Sequence, residues 1–278
     1  MDPLTKFQAD RHPTISKSAF VDAEQYVLFQ MQEYDYKAAR KLVSGKRVLD
    51  WGCNDGYGTA VLSADASVVG LDVSPQLIAT ARAKYPQIDF HCFAGERAPF
   101  SDGSFDVVLF FQTIEHISNP IDTLREIKRV LKPGGELIVT TPNATLRLQG
   151  GALWNPFHVR EYSGPEFVAC LSQVFAVVDL DGLNAIDSIR AIELTRLEKR
   201  RYKTHLLKLA ADAVRQTIEN AQHDRFEVVP QLKLFIKNRQ DHPEMTLNEA
   251  RTLMETQEVF FYQKQAVEQC FSLRCRCL

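Results

Sequence analysis

The sequence predicts an α/β fold in which a mostly parallel β-sheet carries helices on both faces. Short apolar runs rich in β-branched residues alternate with segments whose apolar residues recur at helical spacing. The run from Arg47 to Trp51 is such a strand, and the small, turn-forming residues after it open a helix at about Tyr57. Phe105–Phe111 is apolar almost throughout, as expected of a parallel strand that is buried on both faces.

The remaining elements follow along the chain. Residues 1–22 are mixed in composition and carry early prolines, so we expect an N-terminal arm before a core that spans residues 23–185. Besides the helix that opens at Tyr57, the predicted helices of the core are 23–42, 75–85, 119–131 and 164–175. The predicted strands of the core are 47–51, 67–72, 88–93, 105–111, 136–141 and 176–180.

Length and composition exclude several classes of protein. The chain has 278 residues, 45% of them hydrophobic, which is enough for one large α/β domain with an appendage. A formal charge of −2 gives no general attraction to nucleic acid, so DNA is not an expected partner. No stretch is long and apolar enough to be a transmembrane segment, and the first residues lack the pattern of a secretory signal. We therefore expect a cytoplasmic protein.

The turn after the first strand is a predicted ligand-binding corner. Gly52 and Gly56 allow backbone to approach a ligand closely, and Asn54 is the residue type that best tolerates left-handed dihedral angles after glycine. The dinucleotide pattern G-x-G-x-x-G does not fit this spacing. Asp50 instead places a carboxylate where a pyrophosphate would have to lie. The corner therefore favours a zwitterionic or cationic ligand.

Asp72 ends the second strand, at about the separation at which an acid meets ribose hydroxyls in a βαβ nucleoside site. We predict that it binds a ribose. The alternative is a helix cap or turn former, which the adjacent Ser74 and Pro75 also favour. Its pairing with the glycine turn favours the ribose interpretation.

Five ordered motifs carry a resemblance to a known family: VLDWGCNDGYGT, VVGLDVSP, APFSDGSFDVVLFFQTIEHI, LREIKRVLKPGGELIVTTPN and NPFHVREYSGPEF. From about Tyr34 to Asp181 the chain resembles class I S-adenosylmethionine-dependent methyltransferases. It is most similar to the bacterial branch associated with O-methylation of glycans and other small molecules. The resemblance implies a Rossmann-like, seven-stranded, mostly parallel sheet, S-adenosylmethionine as cofactor and S-adenosylhomocysteine as product.

The resemblance also implies roles for residues along the sheet edge. It places Asp50, Gly52 and Gly56 at the methionine end of the cofactor and Asp72 at the ribose. The family usually has an acid for the adenine amino group where this chain has Ala94. Either the backbone of Gly95 or a displaced Glu96 would replace that acid. The full set of expected cofactor-binding residues is Asp50, Gly52, Asn54, Gly56, Asp72, Val73, Gly95, Glu96 and Gln112.

His116, just beyond the fourth strand, is the strongest candidate for a general base. Ligands bind outside the carboxyl ends of strands in open α/β sheets, and a base of near-neutral pKa can take the proton of a hydroxyl acceptor. The alternative is that Glu115 and His116 only orient the following loop. His158, Arg160 and Glu161 lie on the acceptor side in the family and are expected to hold a polar acceptor. A metal at these residues is the less favoured alternative, because one His and one Glu at this spacing form a weak metal motif.

The last third of the chain resembles the family less. Residues 186–256 are predicted to be a mainly helical insertion or lid, with a further strand at 226–236, and residues 257–278 to hold the last strand and the tail. Val259–Tyr262 is the expected antiparallel strand, and the final four residues are expected to fray. Residues 189–214 are helical in pattern and rich in Lys and Arg. This segment is either a solvated face or a lid that attracts an anionic acceptor, such as a phosphorylated or lipid-linked sugar at a membrane surface.

The predicted reaction is transfer of a methyl group to a hydroxyl oxygen of a sugar, a glycan or a related small molecule. A sugar hydroxyl is a weak acid, so a base is most important for that acceptor. Two alternatives stay open. One is another acceptor, such as a quinone-like phenol, a lipid or an RNA base. The other is a catalytically silent scaffold that binds cofactor only, which the departures at Asn54 and Ala94 from the family pattern would permit.

Overall fold

The computed structural model describes residues 20–95, 97–148, 153, 155–201, 203 and 245–278. Most of the predicted N-terminal arm lies outside these residues, as do the predicted strand at 226–236 and much of the predicted basic segment. Among the described residues, no helix has both the length and the apolar character needed to cross a membrane.

A single sheet of eight strands organises the described residues. In chain order the strands are β1 (Arg47–Trp51), β2 (Ser67–Asp72), β3 (Asp89–Cys92), β4 (Phe105–Phe111), β5 (Leu131–Pro142), β6 (Val177–Ala185), β7 (Phe260–Gln263) and β8 (Ser272–Cys277). In space the order is β3-β2-β1-β4-β5-β8-β6-β7. Strands β1 to β5 pair with one another in parallel, whereas β8 is antiparallel to both β5 and β6, and β7 is antiparallel to β6.

Helices cover both faces of the sheet, as predicted. In chain order they are α1 (Ala23–Val43), α2 (Tyr57–Leu62), α3 (Pro75–Lys84), α4 (Pro120–Val130), α5 (Ala144–Leu148), α6 (Gly164–Leu171), α7 (187–201) and α8 (Leu247–Thr256). Alternate residues of β4 point to opposite faces. Val108 and Phe110 join the core under α4 and α6, while Val107 and Leu109 join the core under α1 and α2. Burial on both faces explains why β4 reads as a continuous apolar run.

The antiparallel strand beside β5 is not the predicted one. Val259–Tyr262 was the expected strand, but Phe260–Gln263 forms β7 at the edge of the sheet, paired with β6. The end of the chain, expected to fray, forms β8 between β5 and β6. Cys275 and Cys277 are fully buried, and Arg274 on the other face pairs with Asp181. The added edge strand makes eight strands in place of the expected seven.

A short helix follows β5. Helix α5 follows Asn143, whose side-chain oxygen accepts a hydrogen bond from the backbone N–H of Thr145 at 3.1 Å. Asn is a preferred residue at helix starts because it satisfies such N–H groups locally. The helix brings Arg147 to the buried side of the loop that follows.

The described half of the basic segment places charges in internal pairs. Arg196 of α7 is buried and donates to both carboxylate oxygens of Glu193, at 2.6 and 2.5 Å. Lys199 donates to Glu24 of α1 at 2.8 Å. These two cations are therefore engaged within the fold. The predicted contact of residues 189–214 with an anionic acceptor or a membrane surface stays a prediction.

Candidate active site

The turn after β1 has the left-handed backbone that its residue types predict. The φ angle is +88° at Gly52, +53° at Asn54 and +83° at Gly56. A Cβ on Gly52 would lie 2.4 Å from Oγ1 of Thr113, and one on Gly56 would lie 2.7 Å from the ring of Phe90. Both positions require glycine, because a side chain would have neither the space nor a favourable backbone conformation. The turn therefore forms a cradle of backbone groups at the carboxyl end of β1.

Asp72 lies beside this turn at the end of β2. Its two carboxylate oxygens accept hydrogen bonds from the backbone N–H groups of Asn54 (2.9 Å) and Ser74 (3.0 Å). Burial raises the pKa of Asp72, and these backbone hydrogen bonds oppose the rise. The hydroxyl of Ser74, rather than Asp72, caps helix α3. Each carboxylate oxygen keeps a further lone pair, so the group is suited to accept hydrogen bonds from two ribose hydroxyls.

Asp50 supports the cradle from below. Its carboxylate is fully buried and accepts hydrogen bonds from Oγ1 of Thr59 at 2.6 Å and from the hydroxyl of Tyr36 at 3.3 Å. Burial raises its pKa to about 7, and the like charge of Asp72 adds to the rise. Asp50 thus ties the turn to α2 and α1. Its predicted contact with the methionine end of the cofactor stays a prediction.

The carboxyl end of β4 closes the cradle on its other side. The strand order reverses between β1 and β4, and ligands of open α/β sheets bind at such a reversal. Gln112 has a left-handed φ of +47°, and its backbone and side-chain N–H groups both donate to Thr140 of β5, at 3.0 and 3.1 Å. Thr113 contacts Gly52 directly. The strand ends of β1 and β4 therefore form one surface.

The residues expected at the adenine end are only partly described. Val73 follows Asp72, and its carbonyl accepts a hydrogen bond from Sγ of Cys92 at 3.5 Å. Gly95 lies in the loop after β3, where a Cβ would approach the ring of Phe93 to 3.1 Å. Glu96 lies outside the described residues. The predicted roles of Gly95 and Glu96 stay predictions.

A cluster of three polar side chains lies just beyond the cradle. Glu115, His116 and His158 each offer an oxygen or nitrogen atom, and these three atoms all lie within 4.8 Å of one another. The two imidazole rings meet edge to face, with centroids 4.9 Å apart. Burial raises the pKa of Glu115 to about 7 and lowers the pKa of His116. His116 is thereby kept neutral near neutral pH, as a proton acceptor must be.

A buried ion cluster supports His158 from behind. Nδ1 of His158 lies 2.7 Å from the carboxylate of Glu161, which also accepts two hydrogen bonds of 3.0 Å from Arg147. The Glu161 side chain has no exposed surface. Burial opposes ionisation of Glu161, but the hydrogen bond from His158 and the charge of Arg147 lower its pKa overall. We therefore place Glu161 behind His158 as its support, and direct contact of Glu161 with an acceptor stays a prediction.

Arg160 differs from its two predicted neighbours because its side chain is exposed. Its guanidinium lies over the ring of Tyr162, 5.8 Å from the centroid. Both residues line a cavity of about 510 Å³ at the start of α4. The polar side chains around this cavity also include Asn119, Glu166 and Gln173. The cavity is adjacent to the Glu115–His116–His158 cluster, because Glu161, which contacts His158, is one of its lining residues.

One buried acid was not found from the sequence. Asp35 of α1 accepts hydrogen bonds from Oγ1 of Thr140 at 3.0 Å and from the hydroxyl of Tyr262, and burial raises its pKa to about 6. Oγ1 of Thr140 also accepts a hydrogen bond from the side-chain N–H of Gln112, so a series of hydrogen bonds links α1 to the end of β4. The position of Asp35 on the buried face of a predicted helix could have indicated a buried acid. Its partners could not be predicted, because they come from strands far along the chain.

The site fits a cationic sulfur nucleoside. The carboxylate of Asp72 is suited to a ribose, the glycine turn presents backbone groups, and a second buried carboxylate, Asp50, favours positive charge nearby. A dinucleotide pyrophosphate would meet these two acids instead of the N–H groups it requires. Gly52, Asn54 and Gly56 would hold the methionine end of S-adenosylmethionine.

Comparison with known proteins agrees with this geometry. Residues 49–139 match a family described as a methyltransferase domain. A protein of Mycolicibacterium smegmatis named "Probable S-adenosylmethionine-dependent methyltransferase" is 38% identical over 165 residues, which cover 58% of this chain and 64% of that protein. A ubiquinone biosynthesis O-methyltransferase of Xanthomonas campestris is 37% identical over 117 residues, which cover 40% of this chain and 49% of that protein. The chain thus spans less than two thirds of the length of these curated relatives.

Among solved structures, the crystal structure of a 4+2 cyclase has the same fold. It superposes with a TM-score of 0.52 at 18% identity and covers 88% of this chain and 80% of that chain. This likeness concerns the fold alone. Residues 49–139 thus match a methyltransferase domain, and the relatives named as S-adenosylmethionine-dependent methyltransferases indicate S-adenosylmethionine as its cofactor.

Proposed function

We propose that this protein transfers a methyl group to a hydroxyl oxygen of a sugar, a glycan or a related small molecule. The observation that carries the proposal is the position of His116. It lies three residues after Thr113, whose side chain contacts the cofactor cradle at Gly52. A group able to act on an acceptor hydroxyl would therefore lie beside the end of the cofactor that carries the methyl group.

When bound, S-adenosylmethionine supplies a methyl group on a positively charged sulfur; on transfer an O–C bond forms, the S–C bond breaks with its electron pair left on sulfur, and the hydroxyl loses its proton. The protein must align the two reactants and exclude water. Asp72 would orient the ribose and the glycine turn the methionine end. Val73 and Gly95, with Glu96, would border the adenine, and Gln112 would border the sulfur end.

His116 supplies the proton acceptor in this proposal. Its Nδ1 lies 2.7 Å from the carbonyl oxygen of Phe157, so Nδ1 carries the proton and Nε2 carries the lone pair. The lowered pKa keeps the ring neutral at physiological pH. A positioned base of this kind contributes about 10²–10⁴-fold to the rate.

The adjacent cavity supports a polar acceptor. A volume of about 510 Å³ can hold a sugar-sized molecule, and its lining combines a cation, Arg160, with the acid Glu166 and the amides Asn119 and Gln173. Side chains of this kind suit an acceptor that carries several hydroxyl groups better than they suit an acceptor that is a flat apolar ring. Arg160 would favour an acceptor with a phosphate or another anionic group.

A phenol is the second candidate acceptor, and the ubiquinone biosynthesis relative favours it. A phenol is a stronger acid than a sugar hydroxyl, so its methylation depends less on a base. The two acceptors therefore differ in how strongly they need His116. A silent scaffold that only binds the cofactor is the third candidate, which the departures from the family pattern at Asn54 and Ala94 would permit.

The test is a methylation screen with His116→Ala and a matched control. Purified chain is incubated with S-adenosylmethionine and with monosaccharides, sugar phosphates, polyprenyl-linked sugars and catechols, and S-adenosylhomocysteine is quantified. We expect turnover on a sugar-type hydroxyl, a loss of about 100-fold or more in His116→Ala, and no loss in His91→Ala, whose ring pairs with Asp89 on the edge strand β3. Cofactor affinity, measured by calorimetry, should be equal in all three proteins. Transfer to catechols alone, or full turnover by His116→Ala on a sugar-type acceptor, would contradict the proposal.

A further inference from the structure

Glu115, His116 and His158 have the donor set of a metal site. One carboxylate oxygen and two imidazole nitrogens lie within 4.8 Å of one another. They come from two segments, the 3₁₀ turn Ile114–His116 after β4 and the loop before α6. Oxygen and imidazole nitrogen are the ligand types that first-row divalent ions accept in proteins.

The groups behind the two histidines are those that support metal-bound imidazoles. Nδ1 of His116 faces the carbonyl oxygen of Phe157 at 2.7 Å, and Nδ1 of His158 faces the carboxylate of Glu161 at 2.7 Å. A carbonyl or carboxylate on one ring nitrogen places the lone pair on the other and makes it a better ligand. Arg147 in turn fixes Glu161 with two hydrogen bonds of 3.0 Å. Both rings therefore present Nε2 from a fixed orientation.

The third donor is held equally firmly. One carboxylate oxygen of Glu115 accepts a hydrogen bond of 3.1 Å from Oγ1 of Thr141. The backbone carbonyl of Glu115 accepts from the N–H groups of Val159 (2.9 Å) and Arg160 (3.3 Å), so the two ligand segments are joined. Glu115 is almost fully buried. A buried carboxylate needs a counter-charge, and a cation between Glu115 and the two rings would provide it.

We propose that a divalent first-row metal ion binds to the carboxylate of Glu115 and to Nε2 of His116 and His158, and that the acceptor hydroxyl takes an open coordination position. The inference rests on the proposed function and deepens it. The ion would lower the pKa of the hydroxyl, whose proton passes to solvent water, so that His116 acts on the acceptor through the ion rather than by taking the proton itself. Nδ2 of Asn155, now 2.7 Å from Nε2 of His158, would turn aside on binding.

Co²⁺ is the probe, because its visible absorption reports nitrogen and oxygen ligands without any need for turnover. The full chain is stripped with chelator and titrated with Co²⁺ in the absence of S-adenosylmethionine. We expect one saturable equivalent, bound at least about tenfold more weakly by Glu115→Gln, His116→Asn and Thr141→Val. His91→Gln is the matched control and should bind as the wild type does, because His91 pairs with Asp89 away from the cluster.

Circular dichroism checks that each variant is folded, and should Glu115→Gln not fold, His116→Asn and Thr141→Val decide the outcome. No saturable Co²⁺ binding by the wild type would overturn the metal site, as would binding that none of the cluster variants weakens. Activity separates this inference from the proposed function. Full turnover in excess chelator would reject the ion and leave His116 as the base, whereas Co²⁺ binding without transfer to any hydroxyl would keep the site and reject the proposed reaction.

Discussion

The two halves of the active site are built differently. The proposed cofactor half consists of the turn after β1 and the ends of β2 and β4, where left-handed backbone and a few acids form the cradle. The acceptor half consists of the Glu115–His116–His158 cluster with its buried support at Arg147 and Glu161. In the first half, contacts join neighbouring strand ends; in the second, they join side chains from β5, α5 and a loop. The difference predicts that substitutions in each half will affect separate measurements.

The largest effect is expected at Gly52. Gly52→Val places a Cβ against Thr113 at a φ of +88°, so the cradle cannot form and binding of S-adenosylmethionine should be lost altogether. Gly45→Val is the matched control: it has a φ of +71° but no atom within 4 Å of the added Cβ. It should cost about 1–2 kcal/mol of stability and leave cofactor binding unchanged. Calorimetry and urea unfolding measure both, and normal binding by Gly52→Val would refute the close fit of the turn.

The second effect concerns the ion cluster of the acceptor half. Arg147→Met leaves the carboxylate of Glu161, whose side chain has no exposed surface, without its bidentate partner. Breaking such a buried pair costs about 3–5 kcal/mol of unfolding free energy. Arg97→Met removes an exposed pair with Asp102 and should cost less than about 1 kcal/mol. Equal losses in urea unfolding of the two variants would contradict a buried, structural role for Arg147.

A third prediction separates the halves by kinetics. Asp72→Asn removes the charge proposed to bind the ribose hydroxyls, so the Kd of S-adenosylmethionine should rise about 10- to 100-fold while kcat at saturation changes little. His116→Ala should show the opposite pattern, with kcat lower by about 100-fold and Kd unchanged. The comparison of the halves fails if both variants lose affinity and kcat together.

The smallest effect is a pH dependence that comes from Asp50. Its folded pKa is about 7, above its ordinary value of 3.8, because burial disfavours the charged form. Protonated Asp50 therefore stabilises the fold fully below about pH 4, and this contribution is lost as the pH rises through 7. In the cofactor-free chain, the free energy of unfolding of the wild type should fall between about pH 5 and about pH 8 by roughly 2 kcal/mol more than that of Asp50→Asn.

Asp102 provides the control for this prediction. Its carboxylate is exposed, and the hydrogen bond from Arg129 lowers its pKa, so Asp102→Asn should leave the pH slope unchanged over that window. Urea unfolding at several pH values gives the slopes. An Asp50→Asn variant with the wild-type slope would show that the carboxyl does not titrate in this range.

The cofactor half was largely predictable. Positive φ at Gly52, Asn54 and Gly56 follows from residue type, and the parallel strands of the core appear as apolar runs bounded by turns. The tail was not predicted, although Leu273, Cys275 and Cys277 alternate with Arg274 and Arg276 in the two-residue period of a half-buried strand. Cysteine was not counted as a core residue there. The burial of this tail strand, β8, depends on β5 and β6, which lie far away along the chain.

The α/β order, the glycine turn and the acids at two strand ends can be predicted from the sequence, because each of these depends on residues that are adjacent in the chain. The position of β8 between β5 and β6, the link from Asp35 to Gln112 through Thr140, and the support of His158 by Glu161 and Arg147 became visible only in the folded chain. These contacts join side chains up to some hundred residues apart. Their geometry is set by how strands and helices pack, and no local pattern encodes it.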